Sequence, residues 1–416
     1  MSNLVPEGWA ETKVSDVCHT IYRYPTFYGM DTFESGVPVI RGEHIKGNGK
    51  LSDQWSDYYF VCSKFSSKYP KTQLLEGDVV MAVRGTVGKF AKVGKCHQMS
   101  QISPNLIRLA PERSVIEQDF FFHNLFPVKD SLLKDCVSAT GVPALNGKDI
   151  AEARMLLPPL SEQKKIAAIL TSVDDVIEKT QAQIDKLKDL KTAMMQELLT
   201  RGVGVDCKPH TEFKDSPVGR IPKEWDVVTT GSIAKSIVPG RNKPKQMNGN
   251  IPWLTIADLG DVYVDKSKSR RGVTREVLSE AKGKTLPKNT VIMSVVGEFG
   301  LSSIAARELV INQQLHGFVC GNKVDPTFLC LSLRYHKDQM EKLATQTTIA
   351  YMNKDNAESV VLALPSLSEQ RKIASVIISI EEKVKSVNKT LHAKTLVKKA
   401  LMQDLLIGRV RVKVED

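Results

Sequence analysis

Gly283-Lys284-Thr285 is a stretch whose residue types could hold a phosphate. A phosphate-binding loop needs another glycine five positions earlier, so that backbone N–H groups can close around the anion, and position 278 is Leu278. Gly47-Asn48-Gly49 begins like a dinucleotide turn, but Ser52 stands where the third glycine must let helix and strand approach. The eight histidines form no HxxxH or HExxH pair that could hold zinc from one helix face. The seven cysteines, at 18, 62, 96, 136, 207, 320 and 330, form no CxxC and are odd in number. Neither a zinc site nor a disulfide framework is expected from them, and a reducing cytoplasm fits. Asp174-Asp175 and Glu381-Glu382 are adjacent pairs, which point apart on a helix and are expected in solvent. No Asn-Pro-Pro-aromatic or Asp-Pro-Pro-Tyr segment, the signature of an amino-methyltransferase, occurs. The chain is therefore expected to carry no catalytic residue, no metal and no cofactor of its own.

What remains is binding. The formal charge of +11 and a pI near 9.1 favour a polyanionic partner, nucleic acid first. The candidate DNA-binding side chains are basic and aromatic residues in loop-like stretches. In the first half they are Tyr22, Arg23, Tyr24 and Tyr28 of "TIYRYPTFYG", then Arg41, Arg84, Lys89 and Lys92. In the second half they are Arg241, Lys243 and Lys245 of "PGRNKPK", then Arg270 and Arg271. Arginine and lysine suit phosphates and guanine edges, whereas Asn and Gln suit adenine edges, which adds Gln101, Asn146, Gln313, Gln314 and Asn353.

Those residues must be positioned by something, and the chain shows what. "LSEQKKIAAIL" begins at Leu160 and "LSEQRKIASVI" at Leu367. Prolines precede each copy, Ser161 and Ser368 suit N-caps, and no proline or glycine interrupts either run before Gly202 or Gly408. Each run reads as a helix of about forty residues, roughly 60 Å long. The first helix presents Ile166, Ile169, Val173, Ile177, Ile184, Leu187, Leu190, Met194 and Leu198 on one stripe, with Thr180 as its polar member. The second presents Ile373, Val376, Ile380, Val384, Val387, Leu391, Val397, Leu401 and Leu405, with Lys394 as its polar member. The steps average about 3.56 residues, between the coiled-coil and straight-helix periods, so the two stripes are expected to pair.

The doubling extends to the whole chain. Trp9 in "VPEGWAETKVSDVC" answers Trp225 in "IPKEWDVVTTGSIA", and "GDVVMAVRGTVGKFA" at Gly77 answers "NTVIMSVVGEFGLSS" at Asn289. Short β-type runs are expected at 38–41, 79–83, 105–109, 252–256, 291–296 and 317–320, with helices near 118–126 and 326–343. The order is unit, helix, unit, helix, with 42% hydrophobic and 25% charged residues typical of globular domains. No leader-like start and no run of eighteen apolar residues is present, so a cytoplasmic protein off the membrane is expected.

"LPPLSEQKKIAAIL" and "LPSLSEQRKIASVI", the helix ends "MMQELLTRGV" and "LMQDLLIGRV", and the openings around Trp9 and Trp225 together resemble the specificity subunits of type I restriction–modification enzymes. The resemblance covers essentially the whole chain. It implies an α+β fold with a pseudo-twofold internal repeat: two small α/β target-recognition domains separated by two long antiparallel helices forming a coiled coil. The implied boundaries are 1–156 and 221–363 for the recognition domains, 157–202 and 364–410 for the helices, 203–220 for the linker and 411–416 for a tail. Each domain would read one half of a split site on double-stranded DNA. Two methyltransferase subunits using S-adenosylmethionine would dock on the helices, joined by ATP- and magnesium-dependent restriction–translocase subunits. The segment "TIYRYPTFYGM" departs from the Gly-x-Thr-Pro expected there. A coiled-coil adaptor without a DNA role, and a metal-dependent nuclease with an unrecognised site, remain open alternatives from the residues alone.

Overall fold

The computed structural model describes residues 5–24, 31–134, 144–204, 209–240, 242–345 and 348–414. They form two compact units, Met1–Gln181 together with Thr390–Asp416, and Ala182–Lys389. The first unit is therefore discontinuous in sequence: it takes the start of one long helix, Leu160–Arg201, and the end of the other, Leu367–Leu406.

In the first unit a four-stranded antiparallel sheet runs Cys18–Arg23, Leu106–Pro111, Val79–Ala82, Phe90–Lys92. A three-stranded sheet sets Val37–Ile40 between Phe60–Val61 and Gln101–Ile102. The continuous apolar run Val79-Val80-Met81-Ala82 is buried on both faces, which is why it reads as unbroken rather than alternating. One face packs with Phe120 and Phe121 of the helix Gln118–Lys134, and with Ile166, Leu170, Leu405 and Leu406 of the long helices. Full burial of side chains of this size contributes about 1.5–3 kcal/mol each. The other face, with Val80 and Ala82, closes over Ile40, Leu74 and Ile102.

The second unit repeats the plan. Its larger sheet runs Ala234–Ile237, Leu315–Cys320, Val291–Ser294, Ser302–Ala305, Tyr263–Val264. Its smaller sheet sets Ile251–Leu254 between Gly272–Val273 and Val310–Ile311. Phe328, Leu329, Ile373, Ile377, Leu198 and Leu199 pack with Met293 and Phe318. In both units a two-stranded ladder delivers the chain to its long helix: Ala10–Lys13 with Arg154–Leu157, and Asp226–Thr229 with Val361–Leu364.

Within each unit the long helices pair antiparallel. In the first, Lys394 Nζ donates to Thr180 Oγ1 at 2.9 Å, Lys398 meets Asp174 at 2.6 Å, and Arg411 beyond the second helix reaches Glu162. In the second, Lys191 meets Glu381, and Val203 N donates to Glu369 Oε1 at 3.0 Å. Partner numbers rise as the first helix's numbers fall, which is the antiparallel sense.

Several expectations are corrected by this packing. Leu190 and Val397 are 47% and 54% exposed rather than in the seam. The next residues, Lys191 and Lys398, face the partner helix instead and reach Glu381 and Asp174. A straight helix drifts past a 3.5-residue pattern, and that drift moves the seam by one position at this level. Asp174 and Glu381 are thus partners across the helix pair, not solvated ornaments, and Glu381 also holds Arg334 at 3.1 Å. The remaining seam residues are buried or half-buried, with Ile166, Ile184 and Ile373 fully enclosed. Ser161 and Ser368 are not caps: the helices start one residue earlier, at Leu160 and Leu367, and Ser366 Oγ accepts from Glu369 N at 3.4 Å.

Candidate nucleic-acid interface

The repeated Ser-Glu-Gln segment is a brace. Gln163 Nε2 donates to Pro158 O at 2.8 Å, while its Oε1 accepts from Glu117 N, just ahead of the helix Gln118–Lys134, at 2.8 Å. Gln370 does the same with Pro365 O and with Asp325 N, both at 2.8 Å. Glu162 accepts from Trp9 Nε1 at 3.3 Å, and Glu369 from Trp225 Nε1 at 3.0 Å. Each glutamate then takes the segment that leaves the other helix. Glu162 receives Arg411 Nε at 3.0 Å and Nη2 at 2.5 Å; Glu369 receives Val203 N, Gly204 N and His210 Nε2 at 3.0, 3.1 and 3.0 Å. Gly202 and Gly408 have φ of +73° and +68°, and a Cβ at either would strike Trp225 or Pro6, so only glycine ends the helix at that approach.

These braces fix the sheets that carry the candidate DNA side chains. In the first unit a hairpin tip spans Val83–Lys89, turned by Gly85 and Gly88 at φ of +71° and +80°. Arg84 and Lys89 flank it, exposed and engaging no other side chain among the described residues. Leu145 N donates to Val83 O at 3.0 Å, which seats Asn146 beside the tip. Gly42 packs under Thr86, so closely that a Cβ at position 42 would stand 2.8 Å from Thr86 Oγ1, which brings Arg41 to the same edge. Arg41 is held by Glu43 at 2.6 Å and lies 5.2 Å from the Tyr59 ring centroid. The structure therefore gathers Arg41, Arg84, Lys89 and Asn146.

The corresponding tip of the second unit is Val295–Leu301, turned by Gly297 and Gly300. Met352 N donates to Val295 O at 2.8 Å, and Val295 N to Gln314 O at 2.9 Å. Gln313, Gln314 and Asn353 thus lie around it, and Gln313 Nε2 reaches Gly240 O at 3.4 Å. Gln314 is partly engaged, its Oε1 accepting from Asn312 at 2.9 Å. Lys243, Lys245, Arg270 and Arg271 are exposed in a separate group beside the smaller sheet, where Gly272 N donates to Met247 O at 3.3 Å.

Other candidates are committed inside the protein. Gln101 is fully buried, donating to Ser66 Oγ at 2.8 Å and bonding Thr72; a buried amide must be satisfied internally, so no base edge can reach it. Tyr24 is 2% exposed, its ring 5.1 Å from that of Tyr69. Arg23 Nε donates to Pro104 O at 3.2 Å, and Lys92 pairs with Asp119. Tyr22 is half-buried with Lys71 over its ring at 5.8 Å. Asn146 and Asn353 cap short helices, accepting from Lys148 N and Asn356 N, though both stay exposed. Tyr28 and Arg241 lie outside the described residues.

Residues 6–189 and 222–394 match the family described as type I restriction modification DNA specificity domain. The MjaVIII specificity subunit of Methanocaldococcus jannaschii is 26% identical over 98% of this chain and 94% of its own length. The putative MjaX specificity subunit of the same organism is 28% identical over 98% and 95%. Among solved structures, one describing complex assembly and conformational transition of the type I R-M system covers 98% of this chain and 100% of its own at 20% identity, with a TM-score of 0.60. The type I restriction–modification S subunit from M. genitalium covers 96% of both chains at 12% identity, with a TM-score of 0.58. Two copies of one domain, each braced by its own Ser-Glu-Gln helix start and each matched by the family, place this chain in the type I restriction–modification DNA specificity family, as a specificity subunit.

Proposed function

We propose that each compact unit reads one half of a split DNA site, and that the paired helices set the gap and dock two methyltransferase subunits. Restriction–translocase subunits would complete the complex. S-adenosylmethionine, ATP and magnesium belong to those partners in this reading, and the assembly works in the cytoplasm. As a specificity subunit the chain confers sequence choice and is not itself the catalyst. No helix among the described residues is long and apolar enough to cross a membrane. The observation that carries the reading is the repetition of one sheet-and-tip design, with different side chains at matching places on the two tips: Arg84, Thr86 and Lys89 on one, Val296, Glu298 and Leu301 on the other. Same frame with different edges is what reading two unlike half-sites requires. Methylated sites mapped in cells carrying the complete system, with residues 10–140 exchanged for those of a relative, test it. One half of the site should change; a change in both halves, or in neither, refutes the division of labour.

A further inference from the structure

Asp53, Cys96 and His97 are brought together in the first unit, with one ligand-type atom from each lying within 4.8 Å of the others. Cys96 and His97 sit on the single turn Lys95–His97, between the strands Phe90–Lys92 and Gln101–Ile102. Asp53 lies on the loop that carries Ser52, whose N–H donates to His44 O at 2.9 Å. The His97 side chain is 3% exposed, with the Trp55 ring centroid 5.0 Å away. Its Nε2 stands 3.0 Å from Ser52 O, a carbonyl that also accepts from Tyr58 Oη at 2.7 Å. A carbonyl can only accept, which assigns the proton to Nε2 and leaves the lone pair on Nδ1. That lone pair faces Cys96 Sγ at 3.1 Å, and Sγ lies 3.7 Å from Asp53 Oδ1.

We propose that Asp53, Cys96 and His97 form a three-ligand site for a divalent transition metal of the zinc class, with the fourth position left to water. Zinc held by sulfur, imidazole and carboxylate in a tetrahedron sets its ligand atoms roughly 3.5 Å apart; the two separations at Cys96 Sγ bracket that value, while Asp53 Oδ1 stands 4.0 Å from His97 Nε2, so this exposed carboxylate must swing toward Nδ1 to complete the site. A backbone carbonyl orienting the second nitrogen of a ligating imidazole is the outer-shell arrangement such sites use. The donor set of one sulfur, one imidazole and one carboxylate selects zinc, cobalt or nickel over magnesium or calcium. On binding, the Cys96 thiol proton leaves to solvent and sulfur bonds the metal. The bound ion ties the 52–58 loop to the turn carrying Cys96.

Asp53 and Cys96 are both exposed, so Cys96→Ser and Asp53→Asn leave the core untouched. Cobalt(II) titrated into the purified full chain should give the near-ultraviolet thiolate-to-metal band and the visible bands of a tetrahedral ion. Cys96→Ser should abolish the thiolate band, Cys62→Ser should leave it, and Asp53→Asn should weaken cobalt binding at least about tenfold. No band on the wild-type chain, or a band that survives Cys96→Ser, overturns the site. Unchanged affinity in Asp53→Asn removes the third ligand and overturns the site as stated.

Discussion

Glu369 shows what one side chain does here. It is 6% exposed and accepts from two backbone N–H groups, an imidazole and an indole. Glu369→Ala strands those donors in a place water cannot reach, and should destabilise the second unit by about 3–5 kcal/mol in denaturant unfolding. A change well under 1 kcal/mol would mean the segment relaxes to solvent. Two buried histidines make a second case. Burial lowers His123 and His316 to about 4; Lys398 and Lys92 add to it at His123, against Asp119. Asp174 Oδ2 stands 4.0 Å from His123 Nδ1, but that carboxylate is already paired through Oδ1 with Lys398. An unfolded histidine protonates near 6.5, so between about 6.5 and 4 the unfolded chain binds protons that the folded one refuses. Stability is therefore whole above that window and falls as pH drops through it, by about 2 kcal/mol per histidine at pH 5. His123→Gln should flatten the pH 7 to 5 difference for the first unit; an equal drop in that variant would assign it elsewhere. At the edge proposed to meet DNA, Arg84→Ala should weaken duplex binding by the assembled complex and lower the salt slope by roughly one. An unchanged slope takes Arg84 off the phosphates. Trp9, Trp225 and the glutamates were visible in the sequence as repeats, but their bonding was not. The partners stand 153 and 144 positions apart, a separation that no local pattern encodes.

At the level of elements, the long helices were legible because an apolar stripe of such length has few alternatives. Six strands were legible because turn residues bracket short β-branched runs, whereas Cys18–Arg23, read as part of a loop-like stretch, is an edge strand of the first unit's larger sheet. The helix seam was only partly legible. Its period lies between two ideals, so the choice between Leu190 and Lys191 is decided by packing. The equivalence of Lys191 with Lys398, and of Asp174 with Glu381, at one offset of 207 residues was a usable signal: matched opposite charges at repeated positions mark a repeated ion pair. The two polar members of the stripes also meet each other, as Thr180 and Lys394, where the repeat-related positions hold Val387 and Leu187. A polar contact inside an apolar seam trades stability for register. Thr180 Oγ1 also donates to Val176 O at 2.6 Å, so it stays satisfied when the lysine is removed. Lys394→Leu should therefore raise stability by about 1 kcal/mol in equilibrium denaturation. A loss of stability would show that the lysine–threonine bond outweighs its desolvation.

For the whole molecule, the division into units does not follow the order of the chain. The first unit is completed by residues from the far end of the sequence, and Arg411 is the side chain that makes the connection specific. It donates to both oxygens of Glu162 and, at 2.8 Å, to Glu7 O, and its guanidinium carbon lies 5.7 Å from the Trp9 ring centroid. The second unit fills the same place from within, using backbone N–H groups and His210. One brace is thus closed by a side chain of the C-terminal segment, and the other by the connection between the copies. Deleting residues 409–416 removes Arg411 but leaves the helix Leu367–Leu406 and Gly408 in place. Trp9 and Glu162 then lose their shared partner, and the strand pair Ala10–Lys13 with Arg154–Leu157 loses its anchor at the helix start. Amide hydrogen exchange of the truncated chain should accelerate severalfold across 10–23 and 154–166, while 226–237 and 361–373 exchange as before. Equal acceleration in both sets would mean that the two units unfold as one cooperative body. No acceleration in either would mean that Arg411 contributes nothing to closing the first unit.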